Sequence, residues 1–265
     1  MTAPRLFLGQ DMAEPLLMPL ADGQVCVFTE RRPGRDTENE DGVALIPGDA
    51  NSAVVAVADG LGGLPAGDLA AAVALQQLTD SVAGQSGDAQ REAVLTGIEA
   101  ANAAVLAQAQ GGGTTLAVVS IANDTVRAYH AGDSMIMVCG QRGKLKYQSV
   151  PHSPVGYAEA SGMLDADAAM FHAERHLVSN MVGMTDMRLE IGPLVQLARY
   201  DTVVVGSDGL FDNLFVSEII ELVRAGPLVQ AAQRLLASAR ERMQRAGSER
   251  PHKPDDLAFI LFRRS

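Results

Sequence analysis

The order of apolar runs predicts an α+β protein, with antiparallel sheets and helices packed on their outer sides. Three observations predict it. Strand-like runs follow one another instead of alternating with helices, which disfavours a parallel doubly wound sheet. Stretches with helical spacing come as one pair in the first half and a second pair near the end. A final apolar strand follows the second pair. No repeat, linker or low-complexity tract divides the 265 residues, so a single domain spanning 1–265 is expected.

The first residues carry prolines and little pattern, so an irregular N-terminal arm is expected over 1–24. Residues 25–30 read as a strand, and RRPGRDTENED as a polar turn. Residues 43–46 and 53–58 are short apolar runs bounded by Gly, Pro, Asp and Asn, which suits buried strands. DGLGGLPAGD is a glycine-rich loop, in which Gly62 and Gly63 suit left-handed backbone angles. After it the period changes. Leu69 and Val73 lie four apart and Leu75, Leu78 and Val82 continue the helical spacing. Val94, Ile98, Ala101 and Val105 repeat it beyond the breaker GQSGD.

GGG at 111–113 ends the second helix. Residues 114–121, 125–131 and 135–139 read as consecutive strands, with Asn123-Asp124 and Gly132-Asp133 at their turns, and 144–149 pair as one more. Residues 150–186 mix Pro, Gly, Met and His with weak periodicity and are expected to form an irregular insert. A strand over 201–206 leads through SDGLFDNL into a helix over 216–224. Pro227 suits the start of the next helix, whose face is Leu228, Ala231, Leu235, Ala239 and Met243. ERPHKPDD is a polar break before the last strand, 257–262.

Composition narrows the function classes. Hydrophobic residues at 47% and charged residues at 20% describe a folded, soluble chain. A net charge of -11 disfavours nucleic acid or an anionic membrane as a general partner, and it leaves carboxylates free to gather hard cations. Cys26 and Cys139 form no CxxC pair and no disulfide framework, which points to a reducing compartment. The N-terminus has no signal-peptide pattern, and no apolar run reaches the length of about 18 residues that a membrane helix needs. A cytoplasmic enzyme is expected. Neither a phosphate-loop lysine motif nor GxGxxG spacing is present to bind a nucleotide. The eleven methionines read as core filler, and His152, His172 and His176 as surface or insert histidines.

The chemistry-bearing residues share a position. Glu40-Asp41 precede a strand, Asp59 follows one, Asp208 follows the 201–206 strand, and Asp255-Asp256 open the last. One aspartate at a strand end is ordinarily a turn residue. Several brought together, at about 2–2.5 Å from shared cations, form an oxygen-rich site for Mg or Mn.

The motifs that carry these residues resemble the type 2C, or PPM, metal-dependent serine/threonine protein phosphatases of bacterial type. ENED at 38–41, VADGLGG at 57–63, AGDLAA at 66–71, GGTT at 112–115, AGDS at 131–134, YDTVVVGSDGLFDNL at 200–214 and DDLAFILFR at 255–263 occur in the family's order. The likeness spans about 25–264. It implies a four-layer α-β-β-α sandwich of two antiparallel sheets, each flanked by a pair of helices, with a metal centre at one end. It implies that Asp59 bridges two Mn2+ or Mg2+ ions, that the Gly60 carbonyl binds one of them, and that Asp208 and Asp255 complete the first site. Glu40 and Asp41 would act through bound waters, Asp133 and Asp208 would hold a third, weaker ion, and Asp212 would add an outer contact or, alternatively, cap the following helix. The implied reaction is in-line attack at phosphorus by a water bridging two ions.

This chain departs from the pattern at several points. Asp36 fills the family's phosphate-binding arginine slot; a one-residue bulge would bring in Arg35, one residue earlier, with Arg31 and Arg32 as the neighbouring alternatives. Leu61 stands where many eukaryotic members have histidine, Met135 follows GDS, and Pro151 precedes His152-Ser153 at the start of a flap-like insert. The last strand begins DD, with Asp255 taken as ligand and Asp256 as the fallback. The implied partners are phosphorylated proteins, among them a Ser/Thr kinase or its targets; the sequence leaves the oligomeric state open, with a monomer favoured. A non-catalytic phosphoprotein-binding relative and a hydrolase of small phosphoesters are the alternatives. The retained Asp59, Asp208 and Asp255 speak against the first, and kinetics on phosphopeptides against small esters would separate the second.

Overall fold

The computed structural model describes residues 3–61, 66–108, 111–245 and 250–264; Gly62 and Gly63 lie outside the described residues. The chain folds into two six-stranded antiparallel sheets packed face to face. The first sheet has the order β1 (Arg5–Leu8), β4 (Asp41–Pro47), β5 (Ser52–Asp59), β6 (Leu116–Ala122), β7 (Thr125–Ala131), β10 (Glu190–Gln196). The second has β2 (Leu16–Leu20), β3 (Gly23–Glu30), β12 (Leu257–Arg264), β11 (Thr202–Gly206), β8 (Met135–Cys139), β9 (Leu145–Gln148).

The central strands are buried on both faces and therefore read as unbroken apolar runs. Alternate residues feed different layers. Val55, Val57, Val119, Ile136, Val205 and Ile260 fill the space between the sheets. Val54, Ala56 and Val118 point the other way, onto α1 (Gly67–Val82) and α2 (Asp88–Gln108), whose Leu75, Leu78, Val94 and Ile98 cover the first sheet. Phe28, Met137, Phe259 and Leu261 meet α6 (Val216–Val223) and α7 (Leu228–Gln244) on the second. The expected four layers are thus present. Leu78 is fully buried, and truncating such a side chain to alanine costs about 2–5 kcal/mol.

Two expectations are corrected, and one strand, β10, is added. The N-terminal arm is not irregular: β1 and β2 pair with β4 and β3 as edge strands. Their runs are too short to show a period, and Pro19 sits in β2 because an edge strand has one side free of ladder bonds. β10 was not legible because Gly192-Pro193 interrupts it, where the register slips between Ile191 and Leu194. The insert at 150–186 holds two helices too short for periodicity, α3 (Pro154–Ala160) and α4 (Ala166–Met170). Each is capped by a side chain. Ser153 Oγ accepts from the Gly156 N–H at 2.9 Å and Asp165 Oδ1 from the Ala168 N–H at 2.7 Å.

Candidate metal centre

Register brings the acidic motifs to one end of the sandwich. Asp41, which opens β4 instead of preceding it, pairs directly with Asp59 at the end of β5. Gly206, at the end of β11, pairs with Phe259 of β12 and with Met135 of β8. Asp208, two residues beyond Gly206, therefore lies at the same end as Asp255, which precedes β12, and Asp133, in the turn before β8. Asp208 begins the one-turn helix α5 (Asp208–Phe211).

Hydrogen bonds fix these side chains. Ser207 Oγ donates to Asp41 Oδ2 at 2.7 Å and accepts from the Ala258 N–H at 3.0 Å, which ties the β11 end to β4 and β12. Asn39 Oδ1 accepts from the Asp41 N–H at 3.0 Å, while its Nδ2 donates to the Gln10 carbonyl and to Thr29 Oγ1. The Asp59 backbone is held on both sides by Thr115: its N–H donates to Thr115 Oγ1 at 3.1 Å and its carbonyl accepts from the Thr115 N–H at 2.8 Å. Thr115 Oγ1 in turn bonds Ser134 Oγ at 2.6 Å, beside Asp133. Gly60 packs so that a Cβ would strike the Gly67 carbonyl, which only glycine avoids.

Crowding shows in the electrostatics. Burial, then repulsion from neighbouring carboxylates, pushes Asp41, Asp59 and Asp133 well above the usual carboxylate range. The neighbours that act on Asp59 are Asp41, Asp208, Asp133 and Asp255. Burial and Asp208 raise Asp255 to about 6, and burial with Asp256, Asp68 and Asp255 raises Glu40 to about 7. Asp41 Oδ1 is buried with no hydrogen-bond partner among the described residues. Deprotonated oxygens held this close call for a cation, and an all-oxygen set fits Mg2+ or Mn2+.

The two aspartates of DD divide their tasks. Asp255 lies close enough to Asp208 to be raised by its charge, and both pair with Lys253. Asp256 accepts from the Arg32 N–H at 2.6 Å and the Glu40 N–H at 2.7 Å, and so fastens the loop that carries Glu40. Arg35 is exposed, and no ion pair among the described residues ties it to the carboxylates; Arg31 pairs instead with Asp11 and Asp36. Ser207, Asn39 and Thr115 each lie inside one of the acidic or glycine motifs, yet no residue spacing marks their role. Nor does spacing mark Lys253, whose ammonium pairs with Asp208, Asp212 and Asp255.

His152 is not a surface residue. It is buried at the root of the insert, stacked on His130 with 4.4 Å between ring centroids and 3.3 Å from Glu190 Oε2. These three side chains are compact enough to suggest a metal site. The hydrogen bonds oppose it. His152 Nδ1 accepts from the Gly132 N–H at 3.2 Å and from Asn180 Nδ2 at 2.7 Å. Asn180 cannot flip, because its Oδ1 accepts from the Arg188 N–H and its Nδ2 donates to the Arg188 carbonyl. Nε2 must then carry the proton, which it directs at Glu190, leaving no lone pair for an ion. The group instead latches the insert to the Gly132 turn beside Asp133. Between insert and centre lies a cavity of about 320 Å³, lined by Asp133, Asp208 and Asp212 on one side and by Pro151, Met170 and Arg175 on the other.

Residues 31–258 match the family model for protein phosphatase 2C. Protein phosphatase PhpP of Streptococcus pneumoniae is 28% identical over 214 residues, covering 77% of this chain and 86% of that protein. The S. agalactiae serine/threonine phosphatase structure superposes with a TM-score of 0.78 at 25% identity, covering 92% of this chain and 100% of that one. The catalytic domain of PstP, solved in complex with two manganese ions, superposes with a TM-score of 0.73 at 22% identity, covering 90% of this chain and 96% of that one.

Proposed function

The chain belongs to the protein phosphatase 2C family, and we propose that it hydrolyses phosphoserine and phosphothreonine on proteins, with a pair of Mn2+ or Mg2+ ions held by its carboxylates. The observation that carries this reading is the meeting of Asp41, Asp59, Asp133, Asp208 and Asp255, from distant segments, at one end of the sandwich. Asp59 and the Gly60 carbonyl would help hold the two ions, with Asp208 and Asp255 at one of them; Glu40 and Asp41 would act through waters, and Asp133 with Asp208 would hold a weaker third ion. When bound, the ions would supply an activated water and offset charge on the phosphoryl oxygens.

The protein's own groups do the rest. Ser207 and Asn39 orient Asp41, and Asp256 sets the loop bearing Glu40. Arg35, exposed on that same loop, is the cation for a phosphoryl oxygen. The cavity under the insert receives the residues that flank the phosphorylated side chain. Neither cysteine serves as nucleophile: both are buried, and burial pushes Cys26 to about 12 and Cys139 to about 11, so both stay thiols.

Among the described residues no helix is long and apolar enough to cross a membrane. A cytoplasmic monomer that reverses a Ser/Thr kinase is the setting we propose. Phosphopeptide hydrolysis with and without Mn2+, comparing Asp208→Ala with the parent, tests the reading. The parent should require added metal, and the variant should lose about three orders of magnitude in kcat/KM. Full activity in excess chelator would overturn it.

A further inference from the structure

Lys253 has no part in the roles carried over from the family motifs, yet its ammonium sits among the carboxylates. It pairs with Asp208, with Asp255 Oδ2 at 3.1 Å and with Asp212 Oδ2 at 2.9 Å, the last outside hydrogen-bond alignment. The placement is built, not incidental. The fully buried Asn213 clamps the lysine backbone from both sides: its Oδ1 accepts from the Lys253 N–H at 2.9 Å and its Nδ2 donates to the Lys253 carbonyl at 2.8 Å. The same Nδ2 donates to the Gly209 carbonyl at 2.9 Å, and Arg242 donates to the Asn213 carbonyl at 3.0 Å. The side chain is 20% exposed, so its charge is spent largely inside the cluster.

We propose that Lys253 is a tethered cation that competes with the divalent ions for the oxygens of Asp208 and Asp255 and thereby sets the metal concentration at which the centre fills. This rests on the reading of those residues as metal ligands. A carboxylate oxygen in contact with an ammonium cannot also offer that lone pair to a divalent ion, and like charges do not share so small a space. Loading therefore requires the ammonium to swing aside. The clamp on the backbone limits how far it goes, while the flexible four-carbon stem lets it move. Asp212, which belongs to neither main site, is the partner it keeps. Lys253 is thus a positioning residue: it holds the acidic end together until metal arrives and then yields its place.

Calorimetric titration of metal-stripped protein with MnCl2 tests this without reference to turnover. Lys253→Met keeps the length of the stem and removes the charge, and its strongest site should bind Mn2+ at least about tenfold tighter than the parent. Lys253→Arg keeps the charge and should stay within about threefold of the parent. A Lys253→Met affinity within about twofold of the parent would overturn the proposal while leaving the metal centre intact. A parent that takes up no Mn2+ would overturn the centre and this proposal together. Should Lys253→Met fail to fold, the parent itself decides. Amine acetylation followed by mass spectrometry should label Lys253 severalfold faster after Mn2+ is added, with Lys146, paired to Asp201, as the unchanged internal standard. Equal or slower labelling of Lys253 would refute the displacement.

Discussion

Replacing Asp256 with alanine removes the acceptor of two backbone N–H groups, Arg32 at 2.6 Å and Glu40 at 2.7 Å. Hydrogen bonds to a charged group contribute about 1.5–3 kcal/mol each. Burial, which itself raises the Asp256 carboxyl, offsets part of that, so the net loss should be about 2–4 kcal/mol. In a chain of this size that lowers Tm by roughly 5–12 °C. Asp255→Asn should behave oppositely. Asp255 already sits at about 6 because burial and Asp208 disfavour its charge, so neutralising it leaves the metal-stripped fold within about 1 kcal/mol of the parent. It does remove a proposed ligand, and hydrolysis should fall by orders of magnitude. Scanning calorimetry of metal-stripped protein at pH 7.5, with phosphopeptide hydrolysis at saturating Mn2+, reads both effects. The division of tasks between the two aspartates is refuted if Asp256→Ala melts with the parent, or if Asp255→Asn retains more activity than Asp256→Ala.

Other perturbations follow the same logic. Glu40 at about 7 and Asp255 at about 6 lie above their ordinary values of 4.5 and 3.8, so their contribution favours the fold at low pH and is lost as pH rises through 6–7. Metal-stripped protein should therefore melt several degrees lower at pH 8 than at pH 5, and Mn2+ at pH 8 should restore it; a Tm that climbs over that range would contradict the crowding. Ser207→Ala strips Asp41 Oδ2 of its donor and the Ala258 N–H of its acceptor, and should cost about 1–3 kcal/mol in urea unfolding and weaken Mn2+ binding. Gly209→Ala drives a Cβ into the Asp256 carbonyl, and should destabilise by more than about 2 kcal/mol, measured the same way. Iodoacetamide should leave hydrolysis unchanged in the folded enzyme, since both thiols are buried and protonated.

What could be read in advance followed from burial. Strands such as β5 and β11 are covered on both faces and announce themselves as apolar runs, and α1 and α7 each bury one stripe of a long helix. Of the four edge strands only β9 was legible, because a turn joins it directly to β8. β1, β2 and β10 depend on a partner for their ladder bonds, and Gly192-Pro193 breaks the alternation in the last. The acidic residues were found because strand ends concentrate them and their motifs run in order. Their convergence needed the register, which places Asp41 opposite Asp59. The residues that orient them were harder to see. Ser207, Asn39 and Thr115 act through hydrogen bonds that cross the chain, and no spacing encodes those. Lys253 carries an ordinary surface residue type within a polar break, and only the clamp by Asn213 shows why it points inward.

The most direct test is an anomalous-difference map from crystals grown with MnCl2. Two strong peaks should appear about 3.5–4 Å apart, both touching Asp59, with Asp208 and Asp255 bound to one of them. Manganese density found only elsewhere, with those three carboxylates bare at saturating metal, would contradict the proposed centre.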